Sequence, residues 1–451
     1  MALGRQRERQ ASMMVTWAEL PRSPGHVFYD RLQAELITAG FDGFVEEECA
    51  HDNAAGRGRP SLPPGRYFRM LLVGYFKGID SERGLEWRCA DSLSLREFLR
   101  LDEREPVPDH SWLSRTRSRL PLEVHDRVFT WVLKRLAEHG LIKGKRIGVD
   151  ASTMEANAAR RTIVRRESGE GYREMLTRMA KESGIETPTI EDLIRLDRKR
   201  KDKTLSNADW QSPTDSDAKI AKLKNGRTHR AYKPEHAMNL DTGAVVAAEV
   251  HAADQGDTTT MPGTLASAAR HLAAVEAAPT PEAPAELIAD KGYHARATLK
   301  ELDGGPWKSR ISEPHRDQFS RWHGDDAARR AVYNNRARLL SGVARAAFKL
   351  RAERVERGFA LILDRGGMRR AWLRGREKVQ KRYLLHVTGY NLGLIMCLLT
   401  GARTPRELRA RASAWLGIVM TPDGGLLVLF VVAIDDQTAV LAVSLQIDPF
   451  A

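Results

Sequence analysis

Three acidic residues stand where a carboxylate could do chemistry. Asp150 closes the run Arg146-Ile147-Gly148-Val149-Asp150, whose β-branched residues and glycine predict a short buried strand. Asp290 closes a second such run, Ala285-Glu286-Leu287-Ile288-Ala289-Asp290, and Gly292 permits a sharp turn after it. Glu356 lies in Leu350–Phe359, where Val355, Phe359 and Ile362 predict the inward face of a helix with Glu356 at its edge. An acid at the mouth of a buried strand costs desolvation unless positive charge meets it. For Asp150 alone, capping the following turn through backbone N–H groups is an equal reading. Three converging carboxylates repel one another unless divalent cations neutralise them. Hard oxygen ligands suit Mg²⁺ or Mn²⁺ rather than zinc. Two such ions about 3.5–4 Å apart can clamp the attacking and leaving oxygens of an in-line phosphoryl transfer. The chain offers no competing G-x-x-x-x-G-K-[ST], HExxH or G-x-S-x-G pattern.

The elements that must position these acids follow in a legible order. Residues 1–24 read as a mobile leader and 25–140 as a helical DNA-binding domain. Within it, Pro63-Pro64-Gly65 opens a helix bearing Phe68, Leu71, Leu72, Tyr75 and Phe76. Ser111–Leu120 is the candidate recognition helix, with Arg115, Arg117 and Arg119 beside Ser114, Thr116 and Ser118, residue types that suit phosphate and base edges. A solvated helix face is the plainer alternative. An α/β core spans 145–400: the Asp150 strand, a hairpin turning at Asp241-Thr242-Gly243, a helix from Met261, the Asp290 strand, a weak strand at Ser309–Ser312 and the Glu356 helix. The two aspartate strands are expected side by side in a mixed sheet flanked by helices. Between them, about 155–226, lies a mostly helical charged insertion with a basic face that includes Arg160, Arg161, Arg165 and Arg166. Residues 401–451 form a tail that could add strands or be poorly packed.

Bulk properties narrow the partners. The chain has 451 residues, 42% hydrophobic and 29% charged, with a net charge of +13 and a pI of about 9.7. That balance favours a polyanion, nucleic acid before an anionic membrane. Cys49, Cys89 and Cys397 are unpatterned, which argues against a zinc ribbon or a disulfide scaffold and for a reducing cytosol. Met1–Gln10 lacks the apolar stretch of a signal peptide. The longest apolar run, Leu426–Ile434, is too short to span a bilayer.

Three segments together resemble the DDE transposases of bacterial insertion sequences: Gly148-Val149-Asp150-Ala151-Ser152-Thr153-Met154-Glu155-Ala156-Asn157, Ile288-Ala289-Asp290-Lys291-Gly292-Tyr293 and Val355-Glu356-Arg357-Gly358-Phe359-Ala360. The helical start, with Arg66–Leu72 and Ser92–Phe98, is similar to the N-terminal domain of that group. The resemblance covers roughly residues 25–410. It implies a ribonuclease-H-like catalytic core behind an all-α N-terminal domain, with Asp150, Asp290 and Glu356 binding two Mg²⁺ or Mn²⁺ ions. It further implies hydrolysis at the element's ends and attack of the freed 3′-hydroxyl on target DNA. The partners would be double-stranded DNA, as terminal inverted repeats and target, and further copies of the chain on that DNA. The setting would be the bacterial cytoplasm, with the nucleoid. Lys291 and Arg357 beside the acids, and the basic group Arg369, Arg370, Arg374, Arg376, Lys378, Lys381 and Arg382, are the candidate DNA contacts. The group's pattern of Tyr and Arg before the glutamate and Lys after it falls here on Lys349, Ala352 and Leu363. The basic work near the site would then fall to Arg351, Arg357 or Arg365, and Glu353 is the rival third acid. A DNA-binding protein that no longer cleaves, or a nuclease on the same fold, are the alternative functions.

Overall fold

The computed structural model describes residues 27–52, 62–102, 104–159, 162–201, 206–222, 226–315, 322, 324–414, 416–420, 426–434 and 437–445. The leader, Arg160 and Arg161 lie outside them. The first region is helical: α1 (Val27–Thr38), α2 (Phe41–Glu48), α3 (Pro64–Lys77), α4 (Glu82–Ala90), α5 (Leu93–Phe98), α6 (His110–Arg119) and α7 (Leu122–Glu138). Local chemistry sets their ends. Pro64 stands where its missing N–H costs nothing, and Gly78 closes α3 at φ 67°. Ser81, Ser92 and Asp109 accept the N–H groups of Gly84, Leu95 and Trp112 as N-caps of α4, α5 and α6.

The chain then enters β1 (Arg146–Ala151) and β2 (Met154–Glu155). The insertion follows as β3 (Val164–Arg165), α8 (Tyr172–Glu182), α9 (Ile190–Lys199), β4 (Trp210–Gln211) and β5 (Lys219–Lys222). It is less helical than expected: β3 and β4 pair as a ribbon, and with α8 and α9 they enclose a small core of Ile163, Met175, Leu176, Ala180, Leu193 and Trp210. Next come β6 (Thr228–Asn239), β7 (Val245–Ala252), α10 (Asp257–Ala273), β8 (Ala285–Ala289), α11 (Arg296–Leu302), β9 (Trp307–Ile311), α12 (Asp326–Leu339) and α13 (Gly342–Phe359). A π-helical segment, Ala360–Arg365, separates α13 from α14 (Arg376–Thr400) and α15 (Pro405–Ala414). The tail pairs β10 (Leu416–Met420), β11 (Leu426–Ile434) and β12 (Gln437–Leu445) in an antiparallel sheet of its own.

Among the described residues the main sheet has seven strands, ordered β2-β6-β1-β8-β9 with β5 and β7 also on β6. It is mixed: β1 runs antiparallel to β6 but parallel to β8, and β8 is parallel to β9. Strand alternation splits β1 between two layers. Ile147 and Val149 join Met261, Leu265 and Leu272 of α10 in one core. Gly148 sits against Leu240, which belongs to the other core with Val355, Tyr383 and the N-terminal helices.

Helix α14 ties the N-terminal helices to the sheet. By length and composition the stretch Arg376–Arg409 could cross a membrane, yet 72% of its apolar window is buried within the protein. Its amides also finish the edge strand. Gln380 accepts from Val250 N–H (2.6 Å) and donates to Ala248 C=O (2.8 Å). Asn391 does the same for both backbone groups of Val245. Backbone groups that would otherwise be buried without partners are thereby satisfied.

Candidate active site

The parallel β1–β8 register decides where the two aspartates stand. Arg146, Ile147 and Gly148 lie opposite Glu286, Leu287 and Ile288. Continuing that register brings Asp150 beside Asp290 at the same end of the sheet. Asp150 Oδ1 accepts the N–H of Ala151 (2.9 Å), and the chain continues as strand, so no helix is capped there. Asp290 Oδ1 accepts Gly292 N–H (2.9 Å) and caps the single tight turn Lys291–Tyr293.

One cation serves both acids. Arg351, from the middle of α13, places Nη2 3.0 Å from Asp150 Oδ2 and 3.7 Å from Asp290 Oδ2. Its Nε donates to Val149 C=O (3.1 Å). The guanidinium is nearly buried, with its side chain 11% exposed. Nη2 makes no hydrogen bond of good geometry, so it acts on the aspartates as charge rather than as a matched fork.

Beneath lies a polar network that sequence reasoning mostly missed. Glu235, on β6, is fully buried. It accepts from Thr260 Oγ1 (2.8 Å), Thr264 Oγ1 (2.5 Å) and Tyr293 Oη (2.9 Å). Burial pushes its carboxyl above the usual range, although those three donors oppose the shift. Lys233 Nζ reaches Asp257 Oδ1 at 2.6 Å and donates to Thr260 Oγ1 at 2.9 Å. Asp257, in the first turn of α10, comes so near Asp290 that a Cβ on Gly292 would run into Asp257 Oδ2 and lie 3.1 Å from Asp290 Oδ1. Burial, then the carboxylates of Glu235, Asp257 and Asp150, push the Tyr293 phenol upward. The missed signal was Asp257 ahead of three threonines, an acid in a first helical turn. The sequence reading began that helix at Met261.

His236 is structural. It stacks on Phe359 of α13 (4.1 Å between centroids, 7° between planes), its Nε2 shares a hydrogen bond with Tyr383 Oη (2.6 Å), and burial pushes it down to about 3.

The expected convergence of three acids is only two-thirds present, which corrects the sequence reading. Buried Ala344, Ala347, Val355, Gly358 and Phe359 define the inward face of α13. At roughly 100° per residue, Glu356 lies about 120° from the middle of that face and Glu353 about opposite it. Both are exposed, and Glu353 pairs with Arg357 (3.2 Å). Among the described residues no group of three His, Cys, Asp or Glu side chains is gathered to hold a metal ion. The aspartate pair fits a cation, as Arg351 demonstrates; the full ligand set does not fit as arranged.

The basic residues divide by exposure. Arg115, Arg119, Lys291, Arg357, Arg369, Arg370, Arg374 and Lys378 are exposed. Arg369 is held by Asp364 (2.7 Å), and Arg370 lies over the exposed Trp372 ring (4.6 Å). Arg117 is a second correction. It is buried and paired with Glu82, because its turn of α6 packs against α4 and α14. Lys381 and Arg382 are buried too, and desolvation pushes Arg382 down to about 10.

Residues 24–119 match the family described as a transposase domain (DUF772), and residues 192–392 match the transposase DDE domain. The second match contains Asp290, Arg351 and Glu356; Asp150 precedes it. No curated protein and no solved structure matches the chain significantly. Two transposase domains in this order, about a mixed sheet that aligns two aspartates, identify the chain as belonging to the DDE transposases of insertion sequences.

Proposed function

We propose that the protein cleaves phosphodiester bonds at the ends of an insertion sequence and joins them to target DNA, with a divalent cation, Mg²⁺ or Mn²⁺, as cofactor. The core would be of ribonuclease-H-like type over about 145–400, behind a DNA-binding helical domain over 25–140. The observation that carries the reading is the lateral alignment of Asp150 and Asp290 at the carboxyl ends of parallel strands, sharing one positive charge. Paired carboxylates in a half-buried pocket demand a cation. Glu356 is the third acid of the proposal. Two ions per site and assembly of several protomers on paired ends belong to the same reading. Exposed Arg115, Arg119, Lys291, Arg369, Arg370, Arg374 and Lys378 supply the basic surface for a DNA backbone.

The orientation of Glu356 favours one second reading, a DNA-binding protein that no longer cleaves. Purified protein incubated with Mg²⁺ or Mn²⁺ and DNA carrying the element's ends separates the two. Nicking and joined products that vanish in Asp150→Asn support the transposase. Binding without nicking, with Asp150→Asn behaving as wild type, supports the second reading.

A further inference from the structure

The helical region and the core meet along an open cavity of about 500 Å³. Its walls are the start of α4, from Asp80 to Trp87, and the loop Gly367–Leu373 that precedes α14. Each wall contributes a tryptophan: Trp87 is 68% exposed and Trp372 48%. Trp372 is fixed in place. Its Nε1 donates to Asp80 Oδ2 (2.7 Å), and its C=O accepts from Asn157 Nδ2 (2.8 Å). The Arg370 guanidinium lies 4.6 Å from its ring centroid. A large ring held exposed by its own hydrogen bond is ready for a flat partner at little entropic cost.

Arg382 of α14 is the second observation. It lines the same cavity and is 4% exposed. Its Nη2 donates to Ile79 C=O (3.3 Å), but Nη1 has no hydrogen-bond partner among the described residues. The two acids of the cavity are engaged elsewhere, Glu82 by buried Arg117 and Asp80 by Trp372. Arg83 faces His110 at 3.4 Å, and His110 is tied to Glu86. A buried guanidinium short of acceptors is costly until an acceptor or an anion arrives. The same loop is joined to the candidate active site. Glu155 N–H donates to Arg369 C=O (3.0 Å), and Ala371 N–H donates to Glu155 C=O (2.7 Å). Glu155 follows Asp150 by five residues, so the two are at most about 18 Å apart.

We propose that this cavity takes one unpaired nucleotide of single-stranded DNA beside the element's end. The base stacks on Trp87 or Trp372, and Arg382, with exposed Arg370, supplies positive charge for its carbonyl oxygens and phosphate. A paired base is already stacked on both faces, so only an unpaired one can offer its ring. A metal ion is disfavoured where Arg83, Arg370 and Arg382 outnumber Asp80 and Glu82. An apolar side chain would fill the space and leave Arg382 without an acceptor. The proposal rests on the transposase reading for its DNA and adds a contact away from the two aspartates.

Fluorescence anisotropy in EDTA, which prevents cleavage, compares a blunt duplex of the element's end with the same duplex extended by a short unpaired strand. Wild type should hold the extended DNA about tenfold more tightly, the order expected for one stacked base. Trp87→Ala changes an exposed position, so it should lose that gain and keep blunt-duplex affinity as in wild type. Trp372→Phe keeps a ring and should retain part of the gain; Trp372→Ala should not. Arg382→Met should also lose it, and the Trp87→Ala comparison stands even where that variant does not fold. 2-Aminopurine in the unpaired strand should be quenched by wild type and stay bright with Trp87→Ala. No gain from the unpaired strand, an unquenched base, or a gain that survives both alanine variants overturns the proposal, and blunt-duplex binding then leaves the transposase reading in place. Wild-type protein that binds neither DNA overturns the transposase reading as well.

Discussion

The strand-borne and helix-borne sides of the candidate site are built under different constraints. Asp150 and Asp290 are fixed by a parallel register, and slipping one strand by one residue would turn its whole apolar set to the wrong face. Ile147, Val149 and Leu287 are fully buried, so the sheet has no second arrangement of similar energy. Helix α13 buries a sparser face of Ala344, Ala347, Val355, Gly358 and Phe359, three of them alanine or glycine. A face of small residues lets the helix approach closely, as Gly358 does at Met238. The strand side is specified by hydrogen-bond register, whereas the helix side is specified by close approach and by Arg351 on Val149 and Asp150.

The sharpest way to break that contrast is to add bulk on each side. On the strand side, Gly292→Val drives a side chain between Asp257 and Asp290, where the neighbours are carboxylates tied to Lys233 and to backbone N–H. Displacing a catalytic carboxylate by about 1 Å can cost about 100-fold in rate. End-nicking should therefore fall by that order while the fold is retained, as read by thermal melting. On the helix side, a Cβ on Gly358 meets the Met238 Cε, 2.5 Å away, the end of a flexible chain. Gly358→Ala should change stability by less than about 1 kcal/mol, since Met repacks readily and alanine favours the helix. Equal losses at both positions would remove the distinction.

The same contrast explains what the sequence disclosed. Short apolar runs ending in Asp predict buried strands, and both strands stand where those runs do. The hairpin at Asp241–Gly243 was legible for the same reason, being fixed by neighbours within four residues. The facing of α13 was not. Val355, Phe359 and Ile362 set a stripe, but a stripe is about 100° wide and leaves Glu356 at its edge free to fall either way. The π segment has no local signature. Arg351 entered the sequence reading as one of three basic candidates, and only the sheet it leans on singles it out. Arg117 looked like its neighbours because burial of one position in a polar helix depends on what packs there. The network around Glu235, Lys233 and Asp257 joins β6 to α10 across the fold, a pairing that no local pattern announces.

A middle-sized effect is expected where the two sides touch. His236 of β6 stacks on Phe359 of α13, and burial pushes it down to about 3. Its folded value lies below its unfolded one, so the unfolded chain takes up the proton first as pH falls. Stability is full above about pH 6.5 and is lost as pH drops toward 3, at roughly 1.4 kcal/mol per pH unit for this group. Buried His125, pushed down to about 4, adds a like slope from the helical region. Thermal melts between pH 7 and 5 should fall steadily. His236→Phe keeps an aromatic ring against Phe359 and should reduce the slope by about one group's share. An unchanged slope would mean that the seam carries none of this pH dependence.

The smallest expected effect compares the basic neighbours of the two sides. Lys291 follows Asp290, is exposed, and makes no ion pair among the described residues. Arg357 follows Glu356 and is held by Glu353 at 3.2 Å. A free lysine that meets a phosphate releases one counterion, so Lys291→Ala should reduce the slope of log K against log salt by about 0.9 for duplex DNA. Arg357 must leave Glu353 to do the same, and its departure exposes a negative charge to the DNA. Arg357→Ala should therefore shift the slope by less than Lys291→Ala, and Glu353→Gln should raise affinity at low salt by freeing the arginine. Titrations at several salt concentrations, with end DNA and with unrelated duplex, read all three. A larger change in slope for Arg357→Ala would place the DNA over the helix side instead, and would require that the Glu353–Arg357 pair opens when DNA binds.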